Sequence, residues 1–140
     1  MRAIENIACA VPVVNISLAG PRNLILDRLI EQSAGRGTII VAAAGNGGPA
    51  APPAYPAALG PVVAVTAVDQ RNRVYRYANQ GGYIFVAAPG VGVSAASSEG
   101  QMASFSGTSF AAPVVAAQIE APEPPEAPEK YEIGRASCRE

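Results

Sequence analysis

Four apolar runs separated by glycine- and proline-rich joints constrain this 140-residue chain more than any other feature. They are Val11–Leu18 (VPVVNISL), Thr38–Ala44 (TIIVAAA), Pro61–Val68 (PVVAVTAV) and Gly82–Ala88 (GYIFVAA). Each is four to eight residues of β-branched or small apolar side chains, with little polar alternation. That pattern belongs to strands buried on both faces. A strand covered on both sides needs a layer above and a layer below. Between the first two runs, Ile25, Leu26, Leu29, Ile30 and Ser33 recur at helical spacing, and Gly35 and Gly37 close the segment. Strand, helix, strand in that order implies a parallel sheet with helices packed on it. The expected class is α/β, with three layers in an α/β/α arrangement and a mostly parallel sheet. Pro89-Gly90 ends the fourth strand, and a last helix is expected over Ala111–Ile119.

Charge divides the chain unevenly. Residues 1–119 carry seven Arg and five acids, a net of +2, whereas residues 120–140 carry six acids and three bases, a net of −3. The stretch from Glu120 to Lys130 repeats Pro and Glu with nothing to bury, and is expected to be disordered. The domain is therefore read as 1–119 and the tail as 120–140. The final segment, 132–140, reads like a translated sequencing adapter, which would remove Cys138 from the biology. Cys9 and Cys138 are far apart and form no CxxC pair, so no disulfide framework follows. The near balance of charge offers no field for nucleic acid, and no apolar run is long enough to span a membrane.

The chain contains no histidine. That excludes a histidine general base and any His-ligated metal within it. Three segments nevertheless sit where chemistry is done. Gly107-Thr108-Ser109-Phe110-Ala111-Ala112-Pro113 leads a Gly-Thr-Ser turn into a helix, so Ser109 falls at a helix N-terminus where free N–H groups favour negative charge. The plain alternative is a helix cap. Ala42-Ala43-Ala44-Gly45-Asn46-Gly47-Gly48 places Asn46 just past the carboxyl end of a parallel strand, the usual ligand position. Its amide could serve an oxyanion, or the segment could be an Asn-Gly turn. Asn15-Ile16-Ser17-Leu18-Ala19-Gly20-Pro21 could receive a peptide as an added strand, or simply connect a strand to a helix.

Taken together, in this order and at this spacing, the segments resemble the subtilisin-like serine proteases. Asn15–Pro21 is similar to that family's substrate-binding strand and turn, and Val41–Gly48 to its oxyanion-hole segment. Tyr55-Pro56-Ala57, Val63–Asp69 and Ala87-Ala88-Pro89-Gly90 match the stretches that follow, and Gly107–Pro113 matches the nucleophile motif. The likeness runs from about Val11 to Ala117. It implies a partial subtilisin-like domain whose first strands lie upstream of Met1. Ser109 would be the nucleophile. Asn46 and the Ser109 N–H would form the oxyanion hole. Ser17, Leu18, Ala19, Gly20, Ala43, Ala44 and Gly45 would line the site for the residue before the scissile bond. The substrate would be a peptide or protein, with no nucleic acid or membrane partner, and the family habit is secretion or the cell envelope.

The family orders its triad Asp, His, Ser, and no Asp or His stands before the first strand here. Without a base Ser109 has an ordinary hydroxyl, so the isolated chain is expected to be inactive. Truncation upstream explains a contiguous loss better than decay does. No cofactor is implied. The full-length family can hold calcium, but Asp69, Asn72, Asn79 and Glu99 are too scattered to compose a cage, and no metal site is assigned. Two other readings remain. One is a non-catalytic peptide-binding module on the same fold. The other is a dinucleotide site at Gly45–Ala50, since Gly45-x-Gly47-x-x-Ala50 with Asp69 downstream matches that fingerprint. The latter demands a helix at 48–58, against Pro49, Pro52, Pro53 and Pro56.

Overall fold

A computed structural model describes residues 12–120. The readings placed on Val11, Cys9, Cys138 and the 121–140 tail lie outside the described residues. Eight elements follow one another: β1 (Val13–Ile16), α1 (Leu24–Gly35), β2 (Ile39–Ala43), β3 (Val62–Val68), β4 (Val86–Pro89), β5 (Val93–Ala96), β6 (Met102–Phe105) and α2 (Thr108–Glu120). The first four strands form one sheet in the order β1-β2-β3-β4, every pair parallel. β5 and β6 make a separate antiparallel hairpin.

The alternation of side chains along β2 and β3 builds two cores, one on each face. Ile40, Ala42, Val62 and Ala64 point to one side, where they meet Ile30 of α1. Val41, Ala43, Val65 and Ala67 point to the other and pack on Ala111, Ala112 and Val115 of α2. Because both sets are buried, both strands read as unbroken apolar runs. Three layers result, as the sequence implied. The small side chains opposite α2 let it lie close to the sheet. Gly90 shows how close: a Cβ there would stand 2.8 Å from the Gly107 carbonyl oxygen and 2.9 Å from the Ala111 Cβ.

Several details depart from the sequence reading. The fourth strand starts at Val86, not Gly82. Gly81 and Gly82 turn the chain, and the Tyr83 hydroxyl donates to the Ala44 carbonyl at 3.0 Å. The first strand ends at Ile16, because Ser17 turns its bonds toward Ser109. On α1 the inward stripe is Leu29, Ile30 and Ser33 with Asp27, while Ile25 is 57% exposed. The hairpin was not anticipated. Residues 48–58 are turns and bridges with no helix, which removes the dinucleotide reading.

Among the described residues no helix is long and apolar enough to cross a membrane. No group of three or more His, Cys, Asp or Glu lies together there that could hold a metal ion.

Candidate active site

The carboxyl ends of β1, β2 and β3 and the N-terminus of α2 converge, and the Ser109, Asn46 and Ser17 segments meet there. The meeting depends on Thr108. This threonine is fully buried, and its hydroxyl has two partners. It accepts from the Gly45 N–H at 3.1 Å and donates to Asn46 Oδ1 at 3.2 Å. The Thr108 backbone N–H donates to the same Oδ1 at 3.0 Å. Two donors on one oxygen fix which end of the Asn46 amide is which, so Nδ2 faces away. Nδ2 lies 3.2 Å from where a Cβ on Gly107 would stand, so the glycine gives the amide room to lie across the turn.

Asn46 is exposed and Ser109 half-buried, so both can reach a ligand. Ser109 is the second residue of α2, where the helix provides its N–H with no acceptor. Neither that N–H nor Asn46 Nδ2 has an acceptor among the described residues. The start of α2 and the Asn46 loop linked to it thus each present one such donor.

The Ser17 segment is tied to the same turn in both directions. Ser17 Oγ donates to the Ser109 carbonyl at 3.0 Å, and Ser109 Oγ donates to the Ser17 carbonyl at a long 3.4 Å. Pro113 accounts for the first bond. A proline four residues on has no N–H to give the Ser109 carbonyl, and the Ser17 hydroxyl takes its place.

Asn79 closes the other side of the Asn46 loop. Its backbone N–H donates to the Gly45 carbonyl at 3.0 Å, and its Oδ1 accepts from the Gly47 N–H at 2.7 Å. These bonds bracket Asn46 on both sides. Asn79 thus serves the loop and gathers with neither Asp69 nor Glu99. Beside it opens a cavity of about 420 Å³. Its outer walls are tied together by the paired Gly20–Tyr55 backbone bonds of 3.0 and 2.9 Å. Arg22 reinforces that tie. Its guanidinium lies 5.7 Å over the Tyr55 ring and bonds Asp27 at 2.7 Å, a hydrogen bond that holds it above its ordinary pKa.

Of the residues expected to line the site, Ala19, Gly20 and Gly45 border this cavity. Ser17 lies beside Ser109. Leu18 is 73% exposed and free to meet a ligand. Ala43 and Ala44 do not border the cavity. Both are buried, and Ala43 points into the α2 core because it is the last inward position of β2. Thr108 and Asn79 were missed as parts of this site, because their bonds join residues that are 62 and 32 apart in the chain.

The model of the subtilase family matches residues 1–119. The chain is similar to Subtilisin BL of Lederbergia lenta, 37% identical over 105 residues that cover 74% of this chain and 39% of that protein. It is similar to a cuticle-degrading serine protease of Arthrobotrys oligospora, 37% identical over 114 residues, covering 80% of this chain and 28% of the relative. Among solved structures it resembles the prenylagaramide maturation protease PagA, with a TM-score of 0.74 and 30% identity, over 82% of this chain and 44% of the other. The chain thus spans less than half the length of these relatives.

Proposed function

This chain belongs to the subtilase family, and we propose from that premise that it supplies the nucleophile and oxyanion-binding part of a serine endopeptidase site. Ser109 Oγ attacks a peptide carbonyl. The carbonyl oxygen gains charge and moves between Asn46 Nδ2 and the Ser109 N–H, which stabilise it without having to reorient. The positive end of α2 adds to the same field. Collapse of the tetrahedral adduct breaks the C–N bond, leaves an acyl group on Ser109 and releases an amine. The substrate is a peptide or protein, and the exposed Leu18–Ala19 stretch of the Ser17–Gly20 segment pairs with it as an added strand. No cofactor enters this chemistry.

The reaction also moves a proton from Ser109 Oγ to the leaving nitrogen, and that requires a base. The only acceptor Ser109 Oγ has among the described residues is the Ser17 carbonyl oxygen, which cannot carry a proton away. With no histidine anywhere in the 140 residues, the chain alone does not hydrolyse peptides. The observation that carries this reading is the pair of Thr108 bonds that tie the Asn46 amide to the turn carrying Ser109.

The test joins this chain behind the preceding segment of Subtilisin BL, which by the family's triad order carries the Asp and His. A fluorophosphonate probe is expected to label Ser109 in the fusion, Ser109→Ala to abolish labelling, and the chain alone to remain unlabelled. A folded fusion that stays unlabelled but binds peptide would replace this reading with a non-catalytic peptide-binding module. Labelling of the isolated chain would sink its inactivity.

A further inference from the structure

We propose that the cavity beside Asn46 receives a neutral side chain with a hydrogen-bond acceptor, the amide of glutamine or asparagine, and that Asn79 Nδ2 recognises it. The proposal rests on the peptide-binding reading above and names the residue preferred before the scissile bond.

Asn46 and Asn79 are the polar side chains that border the cavity, and the rest of its lining is Ala, Gly and Pro. Ala19, Gly20 and Pro21 lie on one side and Ala51, Pro52 and Ala54 on the other. Among the described residues no charged side chain borders it. A lysine or glutamate entering there would leave water and meet no opposite charge, which is costly. The lining is therefore matched to a neutral occupant.

Asn79 supplies the specific element. It is only 3% exposed, yet it borders the cavity. Its amide orientation is determined, because the Gly47 N–H can only donate and so identifies its partner as Oδ1. Nδ2 is left facing the Gly45 side. It would lie 2.8 Å from a Cβ on Gly45, so the donor fits there only because that residue is a glycine. Its acceptor in the protein is the Pro52 carbonyl at 3.4 Å, beyond the usual range for N–H···O. Nδ2 carries two protons and that bond uses one. The second belongs to a nearly buried side chain and has no acceptor among the described residues. A buried donor left unpaired is unfavourable, and a side-chain carbonyl entering the cavity satisfies it. An apolar side chain of equal length does not. Pockets built around such a donor discriminate against analogues that lack the acceptor.

The experiment uses the full 140-residue chain, labelled with ¹⁵N, titrated with acetyl-Ala-Ala-Ala-X-amide peptides in which X is Gln, Met or Glu. The Gln peptide is expected to bind about three- to tenfold tighter than the Met peptide, the worth of one neutral hydrogen bond. The Glu peptide is expected to be weakest. The Asn79 side-chain N–H resonances should shift with Gln and stay in place with Met. Asn79→Asp keeps an oxygen for the Gly47 N–H and removes the donor, so the Gln preference should vanish. If that variant does not fold, the wild-type Asn79 resonances decide the matter. Peptides that move the Gly20 and Gly45 amides with no Gln preference, or with Asn79 unmoved, overturn this proposal and leave the peptide site standing. If no peptide moves Gly20 or Gly45, both fall.

Discussion

The two helices pack on opposite faces of one sheet, and their N-termini are held in opposite ways. α1 is capped by its own neighbour. Asn23 Oδ1 accepts from the Ile25 and Leu26 N–H groups at 3.0 and 3.1 Å, two and three residues away. α2 has no such local device. Its Thr108 N–H goes to Asn46, 62 residues back, and Ser109 keeps its N–H unbonded. A local cap satisfies a helix end and closes it to ligands. A distant partner can hold the helix end and leave the next donor open. α1 covers the sheet, whereas the start of α2 is where the proposed chemistry sits.

The largest expected effect tests the distant attachment. Thr108→Val keeps the shape and removes the hydroxyl, which leaves the buried Gly45 N–H without an acceptor and Asn46 Oδ1 with one donor fewer. The expected cost is about 2 kcal/mol, read as a lower denaturant midpoint at an unchanged slope. The Asn46 side-chain amide should also lose its single orientation, visible as broadened Nδ2 proton resonances. A variant as stable as the parent, with Asn46 still ordered, would remove Thr108 as the organiser of the site.

Next in size comes the local cap. Asn23→Ala should cost about 1 kcal/mol and act on α1 alone, with Asn46 and Ser109 resonances unchanged. If it costs more than Thr108→Val, or disturbs Asn46, the two helix ends are not held independently and the contrast between them fails.

The same contrast explains what could be read from the sequence. β2 and β3 were legible because both faces are buried, so every position but Thr66 is apolar and the pattern does not depend on knowing the neighbours. Ser109 and Asn46 were legible because each stands next to a strand end or helix start that its own segment announces. β5 and β6 were not: each is four residues, largely Ser and Ala, with no β-branched run. The roles of Thr108 and Asn79 were equally hidden. Threonine after glycine reads as a cap, and only the fold shows its hydroxyl reaching Gly45 and Asn46. Asn79 sits in Tyr77-Ala78-Asn79-Gln80, which has no periodic signal, and its partners lie across the chain. Ile25 is the opposite case, exposed although its spacing is helical. Helical spacing alone included it, but the buried Asp27 and its Arg22 bond turn that side of the first turn inward.

The smallest effect is expected at a third end, the β3–β4 connection, where a local device works through charge. Asp69 Oδ1 accepts from the Arg71 and Arg73 N–H groups at 2.8 and 3.0 Å, and Oδ2 meets the Arg73 side chain at 2.7 Å. The Arg73 backbone bond, then its guanidinium, hold the Asp69 carboxyl below its ordinary pKa. A carboxyl depressed in the folded state favours folding above its unfolded pKa, near 4. That contribution disappears as pH falls through the lower folded value. Asp69→Asn keeps an oxygen for the two backbone donors and loses only the charge. The variant should therefore be slightly less stable than the parent at pH 7, and the gap should close as the pH falls below about 4. Denaturant midpoints of both proteins across that range measure it. A gap that persists unchanged at pH 2 would mean that packing of the turn, and not the Asp69 charge, holds this connection. It would then resemble the Asn23 cap more closely than its two arginine partners suggest.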